Sequence, residues 1–321
     1  MIDLLKKNGP FYKANMHCHT VHSDGKMTPE QVKQWYKAHG YSAVAFTDHS
    51  HFASYPELQD EDFLAIAGTE TQFACQNLPN PHAYKACHLN FWAKDPEKAV
   101  YIPDNLACDI GVINRYIEAM KKNGFLCGLN HPAWSNLNTE EFLSIRGADA
   151  FEVYNHGAQV YSNNGNTQAY YAMHLNNGHR AWAVAADDNH SGFDADGKIP
   201  AGDDTCGGWI QISMPKLTYS NFMDAFENGR FYASNGPEFY ELYIDEERDM
   251  LVVRCSPVRV VIVKGVYVSA AARAIASDDS ITYAEFPLEQ NIRNFEPFIH
   301  VEIVTTDNKW ATSQPYWFDE R

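Results

Sequence analysis

Six short apolar runs, at 41–46, 63–67, 88–93, 125–129, 150–154 and 182–186, constrain this chain more than any other feature. They have strand length, they are continuous rather than alternating, and helix-patterned segments stand between several of them. The clearest helix starts at Thr28-Pro29-Glu30, where Thr28 suits a cap and Pro29 the first helical position. Gly40 closes it, and Val32, Trp35 and Tyr36 supply its apolar residues. Further helices are expected over 110–122 and 167–175. Continuous apolar strands alternating with helices predict an α/β fold with a parallel sheet or barrel.

Polar residues of metal-ligand type recur where these strands end: Thr47-Asp48-His49, Gly68-Thr69-Glu70, Asn130-His131-Pro132 and Asp187-Asp188-Asn189-His190. In barrels that end collects the active site, because the loops converge on one mouth. Past Gly207 the texture changes. A strand at 209–212 and a helix near 221–228 lead to short alternating runs at 239–244, 250–255, 258–263 and 298–304, which predict a small antiparallel β domain of sandwich type. The expected division is 1–235 and 236–321.

Charge narrows the partners. The 25 basic and 41 acidic residues leave a net charge of −16, and the basic residues form no run. A long nucleic acid is disfavoured, whereas a small anion at a metal site is compatible. No apolar stretch is long enough for a signal-peptide core or a membrane span, so a cytoplasmic location is expected. The seven cysteines are scattered without a CxxC pair, and buried reduced thiols are the expected state.

His17-Cys18-His19 places two imidazoles on one side of the first strand, where they can share a cation. Asp24, in the turn His22-Ser23-Asp24-Gly25, adds a carboxylate. Glu70 would be costly beside a buried strand unless paired or metal-bound. His49, His88, His131 and the Asp188-x-His190 pair complete the candidates, each with an ordinary structural alternative when taken singly. Asp187 and Asp48 are expected to orient a ligand or an attacking hydroxide. For substrate contacts, Lys26, Arg180 and Trp134 are weak candidates, Trp134 as a cover for the mouth or a stacking ring.

Taken together, the stretches HCHTVHSDGKMTPEQV, AVAFTDHS, AGTE, the His88 strand, NHPAW and DDNH resemble, in order, the polymerase and histidinol phosphatase (PHP) family of metal-dependent phosphoesterases. The segment ENGRFYASNGPEFYELYI is similar to an appendage found in a subset of that family. The resemblance implies a distorted (β/α)7 barrel, TIM-like, with two or three divalent ions of zinc, manganese or iron. By resemblance, His17, His19, Glu70 and Asp188 hold one ion; Glu70, His88 and His131 a second; Asp24, His49 and His190 a third. It implies hydrolysis of a small phosphomonoester, nucleotide or short oligonucleotide by a metal-bridging hydroxide, with Asp24, His49, Glu70 and Asp188 at the catalytic centre. Two alternatives stay open: a metal-dependent amidohydrolase, and a non-catalytic binding module stabilised by its metals. Oligomeric state is not legible.

Overall fold

The computed structural model describes the whole chain except residues 76–79, 81–82, 99, 101, 104–105, 195, 201, 267–270, 289–291, 293–296 and 320–321. In chain order the first part contains β1 (Ile2–Asp3), β2 (Phe11–Asn15), α1 (Pro29–Ala38), β3 (Ala43–Phe46), β4 (Leu64–Ala74), β5 (Ala86–Ala93), β6 (Leu106–Ala107), α2 (Ile110–Lys122), β7 (Phe125–Leu129), α3 (Thr139–Ser144) and β8 (Ala150–Asn155). It continues with α4 (His156–Ser162), α5 (Gln168–Asn176), β9 (Trp182–Ala186), β10 (Trp209–Ser213), α6 (Tyr219–Glu227) and β11 (Phe231–Ser234). The elements described after these are strands: β12 (Phe239–Asp245), β13 (Met250–Val258), β14 (Val260–Lys264), β15 (Ala272–Ile275), β16 (Ile281–Pro287), β17 (Phe298–Val304), β18 (Trp310–Thr312) and β19 (Tyr316–Trp317).

Local chemistry sets α1 as expected. Thr28 accepts from the Gln31 N–H while the Gln31 side chain answers the Thr28 N–H, a reciprocal capping box, and Pro29 opens the helix. Val32 and Tyr36 turn inward, and Gly40, at φ +79°, makes the left-handed exit.

The strand order β2-β3-β4-β5-β7-β8-β9 reproduces the expected sequence of layers, but the sheet is mixed. β2, β3 and β4 are parallel, as are β7, β8 and β9, whereas β5 runs antiparallel to both β4 and β7. The cause is the connection: no helix is described between β4 and β5, so the chain turns back beside β4 instead of crossing over. Among the described residues the ladder runs open from β2 to β9, with an isolated parallel bridge between Cys18 and Asn189 across the gap, so the closure of a TIM-like barrel is not shown. Where β9 and β2 approach, two backbone bonds lie beyond the strands: Asp188 N–H to the His17 carbonyl at 3.0 Å and His19 N–H to the Asn189 carbonyl at 3.2 Å.

The later strands are antiparallel, and they divide. β12, β13 and β16 join β1 in a four-stranded sheet, while β14, β15, β17 and β18 extend the large sheet through the β11–β18 pair. Leu251, Val253, Val261, Val301 and Ile303 fill a core of their own together with Leu4 and Leu5, so the first residues of the chain pack with the last third.

One expectation about cysteine fails. Cys75 and Cys108 are joined in a disulfide, because β6 pairs in parallel with the end of β4 and sets these residues side by side. A separation of 33 residues conceals that neighbourhood in the sequence. Among the described residues, no helix is long and apolar enough to cross a membrane.

Two buried histidines give the fold an acid-sensitive window. Burial, with Lys264 nearby, pushes His300 down to about 3; burial, with His179 and Arg146, does the same to His174. Both therefore stay neutral when folded but take up a proton near pH 6.5 when unfolded. Stability is retained above 6.5 and lost as the pH falls toward 3. Between pH 7 and 5 each should cost about 2 kcal/mol. Urea unfolding at the two pH values checks this: His300→Asn should reduce the loss of stability between pH 7 and 5 by about 2 kcal/mol, and an equal loss in the variant would refute the assignment.

Candidate metal centre

β4 carries Glu70 in its interior rather than beyond its end, because the strand runs on to Ala74 along β5. From this position the Glu70 carboxylate is surrounded by imidazoles. Oε1 lies 3.1 Å from His88 Nδ1 and 3.3 Å from both His17 Nε2 and His131 Nε2. Oε2 lies 3.0 Å from His49 Nδ1 and 3.5 Å from His19 Nε2. Asp188 Oδ1 reaches His19 Nε2 at 3.0 Å and His17 Nε2 at 3.1 Å. Nearer the surface, Asp24 lies 3.3 Å from His190 Nε2 and 3.6 Å from His49 Nε2. All nine expected donors thus meet, although they come from segments spread over more than half of the chain.

Of the three expected sets, one recurs whole, one recurs with an added histidine, and the Glu70, His88 and His131 set is split. His17, His19, Glu70 and Asp188 form one cluster, and Asp24, His49 and His190 form another that also includes His19. Glu70 and His88 group with His49, whereas His131 groups with His17 and Glu152.

The imidazoles are aimed. His17 Nδ1 is 2.6 Å from Glu152, His131 Nδ1 3.1 Å from Ser135 Oγ, His190 Nδ1 2.9 Å from the Asp188 carbonyl, His88 Nε2 3.4 Å from Tyr84 Oη and His19 Nδ1 3.4 Å from Ser23 Oγ. In each ring the outer contact orients the imidazole and leaves the other nitrogen facing the centre, and the acceptors Glu152 and the Asp188 carbonyl place the proton of His17 and His190 on Nδ1. Glu70 Oε2, Asp188 Oδ1 and His49 Nδ1 are buried without a hydrogen-bond partner, although Glu70 Oε2 and His49 Nδ1 lie 3.0 Å apart and Asp188 Oδ1 lies 3.0 Å from His19 Nε2. Such atoms are costly to leave unsatisfied, and imidazole and carboxylate donors converging in this way fit a divalent cation.

The electrostatics agree. Burial opposes ionisation of Glu70, yet His88, His17 and His49 hold it well below the carboxylate range; Asp188 is held down in the same manner by His17 and His19. Burial opposes protonation of His17, but Asp188, Glu70 and Glu152 raise it well above its usual value, and His190 rises to about 9 beside Asp24 and Asp188. Burial and the neighbouring His190 bring His19 down to about 4. Protons here balance the carboxylates as a cation would.

Backbone strain marks the same residues. His131 and Asp188 have positive φ, 23° and 55°, at a cost of about 1–3 kcal/mol each. The bond from His131 N–H to Glu152 Oε2 and that from Asp188 N–H to His17 hold them there.

Glu152 was not anticipated as a participant, yet it engages both His17 and the His131 backbone. The available signal was a charge inside the apolar strand AFEVYN. Asn155 was also missed: its Nδ2 donates to Glu152 and to Asp188, both at 3.0 Å, while its Oδ1 caps α4. Asn130 donates to Glu70 at 2.7 Å. Asp204 is fully buried and accepts from the His190 and Ser191 N–H groups.

Asp187 departs from its expected role. Its carboxylate accepts from the N–H groups of Cys206, Gly207 and Gly208 and lies 2.8 Å from the Tyr36 hydroxyl, so it anchors a loop instead of orienting a ligand side chain. Burial raises it to about 7. Asp48 accepts from Thr20 and Ser23 and thereby fixes the turn bearing Asp24.

A mouth of about 240 Å³ opens above the centre, lined by Trp134, Gly157, Ala158, Tyr161, Asp188 and His190. Trp134 packs edge-on against His131 and at a tilt against His88, covering the cluster as one expectation had it. Lys26 is exposed on the loop after Asp24, beside Gly192. Arg180 is misplaced for a substrate contact. It precedes β9, at the end opposite Asp188, and binds Asp319 at 2.6 Å while lying over Trp317.

This buried clustering of imidazoles and carboxylates, on and just beyond the strands, fits a metal-dependent hydrolase. Residues 15–105 match the model of the PHP domain. No curated protein matches the chain. Among solved structures it is similar to a two-domain protein from Bacteroides vulgatus containing a predicted PHP-like metal-dependent phosphoesterase, at 13% identity and a TM-score of 0.45, covering 98% of each chain. A protein from Bifidobacterium adolescentis, described by inference as a metal-dependent phosphoesterase, is similar at 15% identity and a TM-score of 0.41, over 55% of this chain and 87% of that one. So is an amidohydrolase from Chromobacterium violaceum with bound sulfate and no metal, at 13% identity and a TM-score of 0.41, over 68% of this chain and 96% of that one.

Proposed function

We propose that this protein hydrolyses a phosphate ester of a small phosphomonoester, nucleotide or short oligonucleotide, using divalent cations held by the nine donors. The observation that carries the reading is the convergence of five imidazoles on the Glu70 carboxylate and of His17 and His19 on Asp188 Oδ1, with Glu70 Oε2 and Asp188 Oδ1 buried and without hydrogen-bond partners. His17, His19, Glu70 and Asp188 would hold one ion, Glu70, His88 and His131 a second, and Asp24, His49 and His190 a third, with zinc, manganese or iron all suited to such donors. When bound, such ions supply neutralisation of phosphoryl charge and acidification of water.

The remaining work falls to the chain. Glu152 holds His17 with its Nδ1 turned outward, Asn130 fixes the rotamer of Glu70, and Asn155 steadies Asp188. Trp134 limits the access of water. A covalent route through Cys18 is disfavoured, because burial and then Asp48 push its thiol well above the usual range. No Lys or Arg lines the mouth among the described residues, and this favours a substrate with one or two phosphates over a long polyanion. We assign the hydrolytic unit to 1–235, with the β-rich 236–321 as its appendage.

The test is phosphate release by metal-stripped protein from phosphomonoesters, nucleotides and short oligonucleotides, with manganese, zinc or iron restored. Release that requires the added ion is expected. Silence across the panel with the ion verifiably bound would defeat the proposal in favour of amide hydrolysis or a structural cluster.

A further inference from the structure

Helix α4 has two working faces. Gly157, Ala158 and Tyr161 line the metal-centre mouth, while Gln159 and Asn163, one turn apart, face away into a second crevice of about 400 Å³. The far wall of this crevice comes from Asn235 and from Asn308 and Lys309 in the turn between β17 and β18. Its size falls within the range of about 300–1,000 Å³ usual for small-ligand clefts.

The lining is dominated by carboxamides. Gln159 Nε2 donates to Asn163 Oδ1 at 2.7 Å, and the Oδ1 atoms of Asn166 and Asn235 accept backbone N–H groups, so Asn163, Asn166 and Asn235 present amide donors while Gln159 and Asn308 present carbonyl acceptors; donors and acceptors side by side match vicinal hydroxyls, since every hydroxyl both gives and takes. A phosphate or carboxylate, being only an acceptor, would confront the oxygens of Gln159, Asn308 and Asp307 with its own lone pairs. The single cation, Lys309, is offset by Asp307 on the same turn. Asn235 is preset, because its Oδ1 accepts from the Trp310 N–H at 2.7 Å and is held in one orientation. We infer that this crevice binds a neutral polyhydroxylated ligand, a sugar or cyclitol.

The crevice also touches the metal centre through adjacent residues. Tyr154 lines it, and the next residue, Asn155, donates to Asp188. The sugar can therefore be a free ligand or the sugar portion of a phosphorylated substrate whose phosphate sits at the ions.

Saturation-transfer NMR on the full chain tests this, with methyl α-D-glucopyranoside, methyl β-D-galactopyranoside and myo-inositol as probes. At least one probe should receive saturation, and the transfer should fall fivefold or more in Gln159→Leu and in Asn308→Gly. The second of these removes an amide where φ is already +62° and glycine fits without strain. The absence of transfer from all three probes, undiminished transfer in both variants, or complete displacement by inorganic phosphate would overturn the inference. Glucose 6-phosphate separates the two sources. Displacement of the glycoside that requires added manganese identifies the sugar of a substrate, and displacement independent of manganese identifies a free-standing sugar site. Because binding is read without turnover, failure here is distinguishable from failure of the phosphoesterase reading.

Discussion

Glu70→Gln is expected to abolish cation-dependent turnover, by a factor on the order of 10³ or more, while the protein stays folded. The substitution keeps the shape of the side chain and removes only its charge. Five imidazoles lie within 3.5 Å of that carboxylate, so it is the common partner of the whole cluster. A glutamine oxygen carries no full charge with which to bridge two cations, and its amide N–H₂ would oppose the Asn130 donor at Glu70 Oε1. Loss of several kcal/mol of charge stabilisation converts to about three powers of ten in rate. Cation stoichiometry by calorimetry should fall with the rate, and the near-UV circular dichroism should be unchanged. A variant that still binds its full complement of ions and turns over within tenfold of the parent would remove Glu70 from the centre and the ligand assignment with it.

The ligands were legible because chemistry forces them into recognisable places. A carboxylate such as Glu70 in an apolar run needs a partner, and His17-x-His19 uses a spacing that puts both side chains on one side of an extended segment. The helix α1 was legible for an equally local reason, the Thr28-Pro29 start and the Gly40 exit. What stayed hidden depends on tertiary neighbours. The direction of β5 is decided by how the chain returns from β4, and apolar runs read the same in either direction. The Cys75–Cys108 pair requires β6 to lie beside β4. Asp187 and Asp188 are adjacent in sequence and identical in type, but only the local backbone, with φ +55° at Asp188, sends one carboxylate to the imidazoles and the other to the 206–208 amides. Asn130 and Asn155 look like ordinary turn and cap residues until Glu70 and Asp188 are placed against them.

Trp92→Ala should be the most damaging single change to stability, and it should weaken cation binding as well. The indole is 1% exposed, packs edge-on against Phe226 at 5.1 Å and lies over Gly128, where a Cβ would fall 2.4 Å from the ring. Removing a buried tryptophan of this kind costs about 3–5 kcal/mol through lost contacts and the cavity left behind. Its Nε1–H also donates to the Met16 carbonyl at 3.0 Å, and that buried acceptor would lose its partner at a further cost of about 1–3 kcal/mol. Met16 immediately precedes His17, so the same bond holds the strand end from which His17 and His19 reach the cluster. A drop in the thermal midpoint of about 10 °C or more is expected, with reduced cation affinity at temperatures where the variant is still folded. Trp92→Phe separates the two effects: it keeps most of the ring packing and loses the donor, so it should recover most of the stability while leaving cation affinity impaired. If the phenylalanine variant binds cations as the parent does, the Met16 bond plays no part in placing the histidines, and Trp92 supports the site only through the bulk it contributes to the core.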